Sequence, residues 1–188
     1  MKRIGVFASG TGSNFQAIEK ACKEGIIKGE ISLLVCDKPD AKVIAKAKAM
    51  NIEVFTFLGK EYKDRATYEK EILRELKSRE IEMIVLAGYM RLVGDTLLEA
   101  FPKKIINIHP SLLPDYPGLN SIQRAFEDGV SKTGVTVHVV DSGMDTGPII
   151  AQRGVEIKET DTLEALEERV HQVEHELYVE VLKELCKE

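Results

Sequence analysis

The sequence predicts an α/β fold with a Rossmann-like, mainly parallel sheet and helices on both faces. Short apolar, β-branched runs alternate with longer amphipathic segments along the 188 residues. Runs such as "MIVLA", residues 83–87, are apolar at every position, which is typical of strands covered on both faces. No repeat, low-complexity tract or linker divides the chain, and 44% of its residues are hydrophobic. We therefore predict a single domain over residues 1–188.

Seven strands are predicted, and the segments between them have the longer amphipathic pattern of helices. In order, the strands are Arg3–Ala8, Ile31–Cys36, Glu53–Phe57, Met83–Ala87, Ile105–His109, Gly134–Val140 and Ile149–Ile157. A sheet built from such alternating units binds its ligands at the carboxyl ends of its strands. Polar side chains at those ends are the first candidates for function.

The last helix has the clearest periodicity in the chain. Apolar residues recur at spacings of three and four, at Leu163, Leu166, Val170, Val173, Leu177, Val181 and Leu185. This stripe predicts a helix that packs against the core. Asp161 followed by Glu164 resembles a capping box at the start of the helix.

Charge and composition narrow the classes of function. A net charge of -5 and an isoelectric point near 5.5 disfavour a long nucleic-acid partner, but they allow a small phosphorylated ligand. Nothing approaches the roughly 20 apolar residues of a membrane span, and the apolar run at the start is too short for a signal peptide, so we expect a cytoplasmic protein. The three cysteines form no CxxC pair, which indicates reduced thiols rather than disulfides or zinc ligands.

The glycine-rich stretch after the first strand predicts a phosphate site. In "SGTGSNFQAI", Ser9–Ile18, Gly10 and Gly12 allow a tight turn before a helix whose first N–H groups are free to bind an anion. A dinucleotide fingerprint requires a third glycine where Phe15 stands, although Asp37 ends the second strand as a ribose-binding acid would. NAD binding and a purely structural turn, with Ser13 or Asn14 as the helix cap, stay open as alternatives.

The sequence "HQVEH", His171–His175, matches a zinc-binding pattern. We interpret the match as coincidental, because too little chain follows His175 to supply a distant third ligand and its supporting helices. His171 is then a solvated helix residue. Glu174 and His175 border the apolar stripe and could reach from its edge toward a ligand.

Two polar residues interrupt a buried strand in "INIHPSLLPDYPG", residues 106–118. Side chains two positions apart on a strand point the same way, so Asn107 and His109 are expected to converge above the sheet. An amide donates to a carbonyl oxygen, and an imidazole donates or shuttles a proton near neutral pH. The prolines that follow restrict the backbone and would hold the pair in place. A purely structural histidine is the alternative.

The turn "VDSGMDTGP", residues 140–148, supplies two carboxylates, Asp141 and Asp145. A carboxylate beside His109 would favour the imidazolium and fix its orientation, and we assign this role to Asp145. Ser111 has no evident base, so the chain offers no obvious nucleophile of its own. The set suits acyl transfer in which the substrate supplies the nucleophile.

Several stretches together resemble phosphoribosylglycinamide formyltransferases of purine biosynthesis. They are "FASGTGSNFQAI", "VLAGYMRLV", "NIHPSLLPDYPG", "DSGMDTGPIIAQ" and "RVHQVEHELY", which cover essentially the whole chain in order. The resemblance implies a formyltransferase fold and transfer of a formyl group from 10-formyltetrahydrofolate to the glycinamide amine, with no metal. We also expect small-molecule substrates, no nucleic-acid or membrane partner, and a monomer or homodimer.

The resemblance assigns roles to individual residues. The catalytic residues would be Asn107, His109 and Asp145. The ribonucleotide phosphate would bind at Gly12, Ser13, Asn14, Phe15 and Gln16, and its ribose would lie against His171, Gln172, Val173 and Glu174, with Glu174 accepting from a hydroxyl. The folate would bind at Arg65, Met90, Arg91, Leu92, Val93, Asn107, Asp141, Ser142, Gly143, Met144 and Asp145. The residue types agree, because Met90, Leu92 and Val93 can form an apolar slot and Arg65 or Arg91 can pair with folate carboxylates.

The sequence departs from the family pattern at two places. Many relatives carry histidines where this chain has Asn120, Ser121 and Ile122, and Ser-Asn where it has Cys36 and Asp37.

Three alternative functions stay open. Methionyl-tRNA formyltransferase shares the chemistry but needs an extra domain and a basic surface. Formyltetrahydrofolate deformylase would hydrolyse the same donor. A non-catalytic phosphometabolite-binding module of similar fold would leave the three polar residues idle.

Overall fold

A seven-stranded sheet forms the centre of the computed structural model, which describes residues 1–187. The strands are β1 (Lys2–Ala8), β2 (Gly29–Cys36), β3 (Val54–Thr56), β4 (Met83–Leu86), β5 (Ile105–His109), β6 (Lys132–Val139) and β7 (Ile149–Glu156). Their order across the sheet is β3-β2-β1-β4-β5-β6-β7. Every strand predicted from the sequence is present, with ends displaced by at most two residues.

The strands β1 to β5 are parallel, and β6 and β7 continue the sheet in antiparallel pairings. The predicted mainly parallel sheet is therefore confirmed. Its centre is completely apolar: all four residues of β4 are buried, and so are the last five of β1. Because helices cover both faces, these strands have no solvent-facing side. β7 is an edge strand, and most of its side chains are partly or fully exposed.

Within residues 1–187, six α-helices cover the sheet in two layers. They are α1 (Ser13–Lys23), α2 (Lys42–Ala49), α3 (Arg65–Ser78), α4 (Asp95–Ala100), α5 (Ser121–Glu127) and α6 (Leu163–Leu185). Apolar residues of α1, α2, α5 and α6 pack in one core cluster, whereas those of α3 and α4 pack in a second cluster on the opposite face. The predicted stripe of α6 is largely buried in the first cluster.

The start of α6 differs from the predicted capping box. Thr162 is the N-cap, and its hydroxyl accepts from the Ala165 N–H at 3.1 Å. Asp161 lies one position too early to cap the helix. Its carboxylate instead accepts two hydrogen bonds from the Arg169 guanidinium, at 2.6 and 2.9 Å. Such charge-assisted hydrogen bonds are stronger than those between neutral groups.

The start of α1 is capped by neither of the two residues predicted for this role, Ser13 and Asn14. Gly12 is the N-cap, with φ of +80°, and within the described chain no side chain, neither that of Ser13 nor that of Asn14, makes the cap hydrogen bond. A Cβ atom at Gly12 would lie 2.5 Å from Val43 Cγ2, so glycine is required by the positive φ and by the close approach of α2. The first N–H groups of α1 are thereby left open at the carboxyl end of β1.

Cys22, Cys36 and Cys186 are free thiols, and burial raises the pKa of Cys22 to about 12. Among the described residues, no helix is both long and apolar enough to cross a membrane.

Candidate active site

A cavity of about 420 Å³ opens at the carboxyl ends of β4 and β5. Its walls come from five parts of the chain: the end of β4 with the segment after it, the end of β5 with the loop that follows it, the start of α5, the end of β6 with the loop to β7, and α6. The volume lies in the range of small-molecule sites. Asn107, His109 and Asp145 all line it, so the structure brings together the three residues assigned to catalysis.

Asn107 and His109 point toward the cavity from β5, as their spacing predicts. Across the antiparallel pair with β6, Asn107 is opposite His138, and His109 is opposite Thr136. Asn107 Nδ2 lies 3.3 Å from His138 Nε2. His138 is 2% exposed, so this contact is shielded from water.

His109 is buried, and its two ring nitrogens have different partners. Nε2 lies 2.8 Å from the Tyr116 carbonyl oxygen and 3.0 Å from Ser121 Oγ, and that hydroxyl itself donates to the Gly118 carbonyl. Because a carbonyl only accepts, Nε2 carries a proton. Nδ1 lies 3.5 Å from Asp145 Oδ2 and would carry the second proton of an imidazolium.

Asp145 occupies the centre of this polar end of the cavity. Its Oδ2 accepts from the Gly118 N–H at 2.8 Å, and its Oδ1 lies 3.8 Å from His138 Nε2. The side chain is 10% exposed, so its charge is only weakly screened. The residue has φ of +56°, a left-handed conformation that aspartate and asparagine tolerate better than most residues.

His138 is a site residue that the sequence reasoning missed. Its Nδ1–H donates to the Val139 carbonyl at 3.0 Å, so in the neutral ring Nε2 accepts from the Asn107 amide. This contact turns the Asn107 NH₂ group toward the histidines. One available signal was a polar side chain within the apolar run "VTVHVV" of β6, which has the same form as Asn107 in β5.

Part of the cavity lining is apolar and partly exposed. Met90, Leu92, Leu119 and Met144 line the cavity and are large exposed hydrophobic residues. Val93 lines it too but is buried in the α3/α4 core cluster. The predicted apolar slot is therefore extended by Leu119, which follows the proline-rich loop. Exposed apolar side chains grouped around a pocket indicate a ligand with a flat apolar part.

The two arginines assigned to folate carboxylates lie in different settings. Arg91 lines the cavity, but its Nε donates to Asp37 Oδ2 at 2.9 Å and its guanidinium lies over the Phe57 and Tyr68 rings. Arg65 begins α3, lies outside the cavity lining, and packs against Gly94. Asp37 is occupied by Arg91 and Ser9, so it is not available as a ribose acid.

The turn between β6 and β7 divides into two parts. Gly143, Met144 and Asp145 line the cavity, whereas Asp141 and Ser142 lie outside its lining. Asp141 Oδ1 accepts from the Gly143 N–H and the Thr146 hydroxyl, and these contacts lower the pKa of Asp141. Asp141 therefore shapes the turn that presents Asp145.

The residues assigned to the ribonucleotide come from α1 and α6, which pack against each other. Ser13–Gln16 form the first turn of α1 rather than a loop, and the Phe15 side chain is fully buried, so it offers only its backbone. On α6, His171 Nδ1 lies 2.8 Å from Glu174 Oε2, and Glu174 is buried. Gln172 and Val173 point to other sides of the helix: Gln172 donates to Glu176, and Val173 packs on the core.

The contact between His171 and Glu174 raises the pKa of His171. Burial lowers the pKa of the neighbouring His175, whose Nε2 is buried without a hydrogen-bond partner among residues 1–187. No group of three or more metal-ligating side chains occurs in the part of the chain that the structure describes. The "HQVEH" pattern therefore contributes a hydrogen-bonded pair at the cavity edge.

Comparison with known proteins gives a consistent result. The family described as formyl transferase matches residues 2–182. A phosphoribosylglycinamide formyltransferase of Bacillus subtilis is 55% identical over 98% of this chain and 95% of its own length, and one of Haemophilus influenzae is 40% identical over 97% and 86%. The crystal structure of glycinamide ribonucleotide transformylase 1 from Geobacillus kaustophilus is 59% identical, covers both chains completely and superposes with a TM-score of 0.97.

Proposed function

Because this chain belongs to the formyl transferase family and is an enzyme of formyl transfer, we propose that it uses 10-formyltetrahydrofolate to formylate the amine of 5'-phosphoribosylglycinamide in purine biosynthesis. The observation that carries this proposal is the convergence of Asn107, His109 and Asp145 at one end of a cavity whose other wall is apolar. The hydroxyl beside His109, that of Ser121, is buried and donates to the Gly118 carbonyl, so the amide, imidazole and carboxylate suit transfer between two bound substrates rather than through a nucleophile of the protein.

The start of α1 is the proposed site of the ribonucleotide phosphate. Its first N–H groups and the positive end of the helix dipole favour an anion. Asn14 Oδ1 is buried without a partner among residues 1–187, which leaves it available for a polar group of the ligand. The carboxylate of Glu174, which is buried and paired with the cavity-lining His171, would accept from a ribose hydroxyl.

The apolar wall formed by Met90, Leu92 and Met144 is the proposed site of the folate ring system. The residues fit such a donor, because a flat heterocycle can lie against the wall while its formyl group reaches the polar cluster. Arg65, exposed at the start of α3, is then a more suitable partner for the carboxylate tail than Arg91, whose guanidinium is already paired.

In the proposed mechanism the amine attacks the formyl carbon, and a C–N bond forms as the carbonyl oxygen becomes an oxyanion. The Asn107 amide, turned by His138, donates to that oxyanion, and the positive charge of the protonated His109 stabilises it. The Asp145 carboxylate stabilises the imidazolium and helps the attacking nitrogen pass its proton to the departing folate nitrogen, through water. The intermediate collapses by breaking the bond between the formyl carbon and the folate nitrogen.

The absorbance of deformylated folate, followed with and without phosphoribosylglycinamide, tests this proposal. We expect turnover of the donor only when the ribonucleotide is present. Turnover with water alone would instead identify a deformylase, and a protein that binds both compounds without turnover would be a binding module. The predicted single domain, cytoplasmic location and monomeric or homodimeric state stay predictions.

A further inference from the structure

Asp37 is a buried carboxylate that lies behind the cavity rather than in its lining. It directly follows β2 and is 3% exposed. Its Oδ1 accepts from the Ser9 hydroxyl at 2.6 Å, and its Oδ2 accepts from Arg91 Nε at 2.9 Å. A buried carboxylate is costly unless it is paired and hydrogen-bonded, and here each of its two oxygens has a partner.

Ser9 extends this contact to the cavity wall. Its hydroxyl donates to Asp37 and accepts from the Met90 N–H at 2.9 Å, while its own N–H donates to the Gly88 carbonyl at 3.2 Å. Ser9 directly follows β1, which lies between β2 and β4 in the sheet. The carboxyl ends of three adjacent strands are thus joined through two side chains.

Arg91 is held from several sides at once. Besides the ion pair with Asp37, its guanidinium carbon lies 5.8 and 5.5 Å from the Phe57 and Tyr68 ring centroids. A Cβ atom at Gly59 would lie 2.4 Å from Arg91 Nη1, so the guanidinium rests directly on that backbone. A guanidinium in an ion pair and on two aromatic faces has little freedom to move.

We propose that Asp37 is a positioning residue for the formyl donor, a role that rests on the function proposed above. Through Ser9 it fixes the Met90 backbone, and through Arg91 it fixes the next residue. These two anchors hold the 88–93 segment, whose side chains Met90 and Leu92 form the apolar wall of the cavity. The carboxylate itself touches no reacting group, so its loss should weaken binding of the donor and leave the acceptor site unchanged.

Steady-state kinetics of three variants test this role. Asp37→Ala removes both anchors, Asp37→Asn keeps an oxygen acceptor for one of them, and Ser9→Ala removes the Met90 anchor alone. We expect the KM for the donor to rise about ten-fold or more in Asp37→Ala and less in the other two, with the KM for the ribonucleotide within about two-fold of wild type. Asp161→Asn is the matched control, because Asp161 is also a shielded carboxylate paired with an arginine and lies outside the cavity lining.

Amide hydrogen exchange over residues 88–93 gives a second readout that needs no activity. We expect faster exchange in Asp37→Asn and Ser9→Ala, and no change in Asp161→Asn. Unchanged exchange together with an unchanged donor KM would overturn the proposal, and so would an equal rise of both KM values. If Asp37→Ala fails to fold, the other two variants decide. Absence of ribonucleotide-dependent turnover in wild type would refute the proposed function alone, and the exchange comparison would still test the anchors.

Discussion

The Asn107 amide shows how a neutral side chain acquires a fixed role from its neighbours. By itself an asparagine can present either its oxygen or its NH₂ group to a ligand. The His138 ring, held by the Val139 carbonyl, accepts from the NH₂ group and thereby sets its orientation. The meeting of Asn107, His109 and Asp145 at one cavity was foreseeable from strand alternation and the family resemblance. The roles of His138 and Asp37 were not, because they depend on partners that are brought together only by the sheet.

The pKa of His171 is a prediction at the same scale. Its hydrogen bond to Glu174 raises that pKa above the ordinary value of 6.5, so we expect Glu174→Gln to lower it. The stabilisation from this pair is fully present below the ordinary pKa of an imidazole and is lost as the pH rises through the raised value. NMR titration of the His171 ring measures the change.

Glu176→Gln is the control for this titration, since Glu176 meets Gln172 instead of His171. It should leave the His171 titration unchanged. Because His171 is half exposed, we expect only a small effect on the free energy of unfolding, below about 1 kcal/mol. Equal titration curves for wild type and Glu174→Gln would contradict the assigned contact.

The helix α6 connects the candidate site to the sheet beneath it. Tyr178 is fully buried, and its hydroxyl donates to the Leu86 carbonyl at 2.6 Å, with the Ile106 carbonyl at 3.2 Å. Leu86 ends β4, and Ile106 directly precedes Asn107 on β5. The apolar period of α6 predicted the buried face of this helix, but it could not predict that a tyrosine on that face contacts two strands.

We expect Tyr178→Phe to lower the free energy of unfolding by about 1–2 kcal/mol, because it removes a buried hydrogen bond to the Leu86 carbonyl. Denaturant unfolding followed by circular dichroism measures this change. Tyr116→Phe is the control: its hydroxyl meets Asp128 at an exposed position, and its loss should cost much less. Equal losses in the two variants would show that the Tyr178 contact contributes nothing particular to stability.

Helix starts were the least predictable elements. At α6 the cap is Thr162, one residue after the predicted Asp161, whose carboxylate is paired with Arg169 instead. At α1 a glycine with positive φ replaced a polar cap, since α2 leaves no room for a side chain. Strand positions were predictable because burial on both faces produces continuous apolar runs that few other structures require.

At the scale of the whole molecule, the sheet order brings the site together from distant parts of the chain. β1, β4, β5 and β6 are consecutive in the sheet, although other strands and helices separate them in sequence. Their ends supply Ser9, the 88–93 segment, the two β5 residues and the loop with Asp145. The alternating pattern predicted this class of sheet, whereas the antiparallel pairing of β6 and β7 became visible only in the structure.

The most direct test of the central claim is the kcat for formyl transfer in Asp145→Asn. Asparagine tolerates the left-handed backbone at this position, and its amide oxygen can still accept from the Gly118 N–H, so the fold and its melting temperature should be preserved. We predict that kcat falls by at least about 100-fold. The His109 imidazolium loses its negatively charged partner, and the attacking amine loses the carboxylate that helps to move its proton. A kcat within about three-fold of wild type, in a variant that folds normally, would contradict the account.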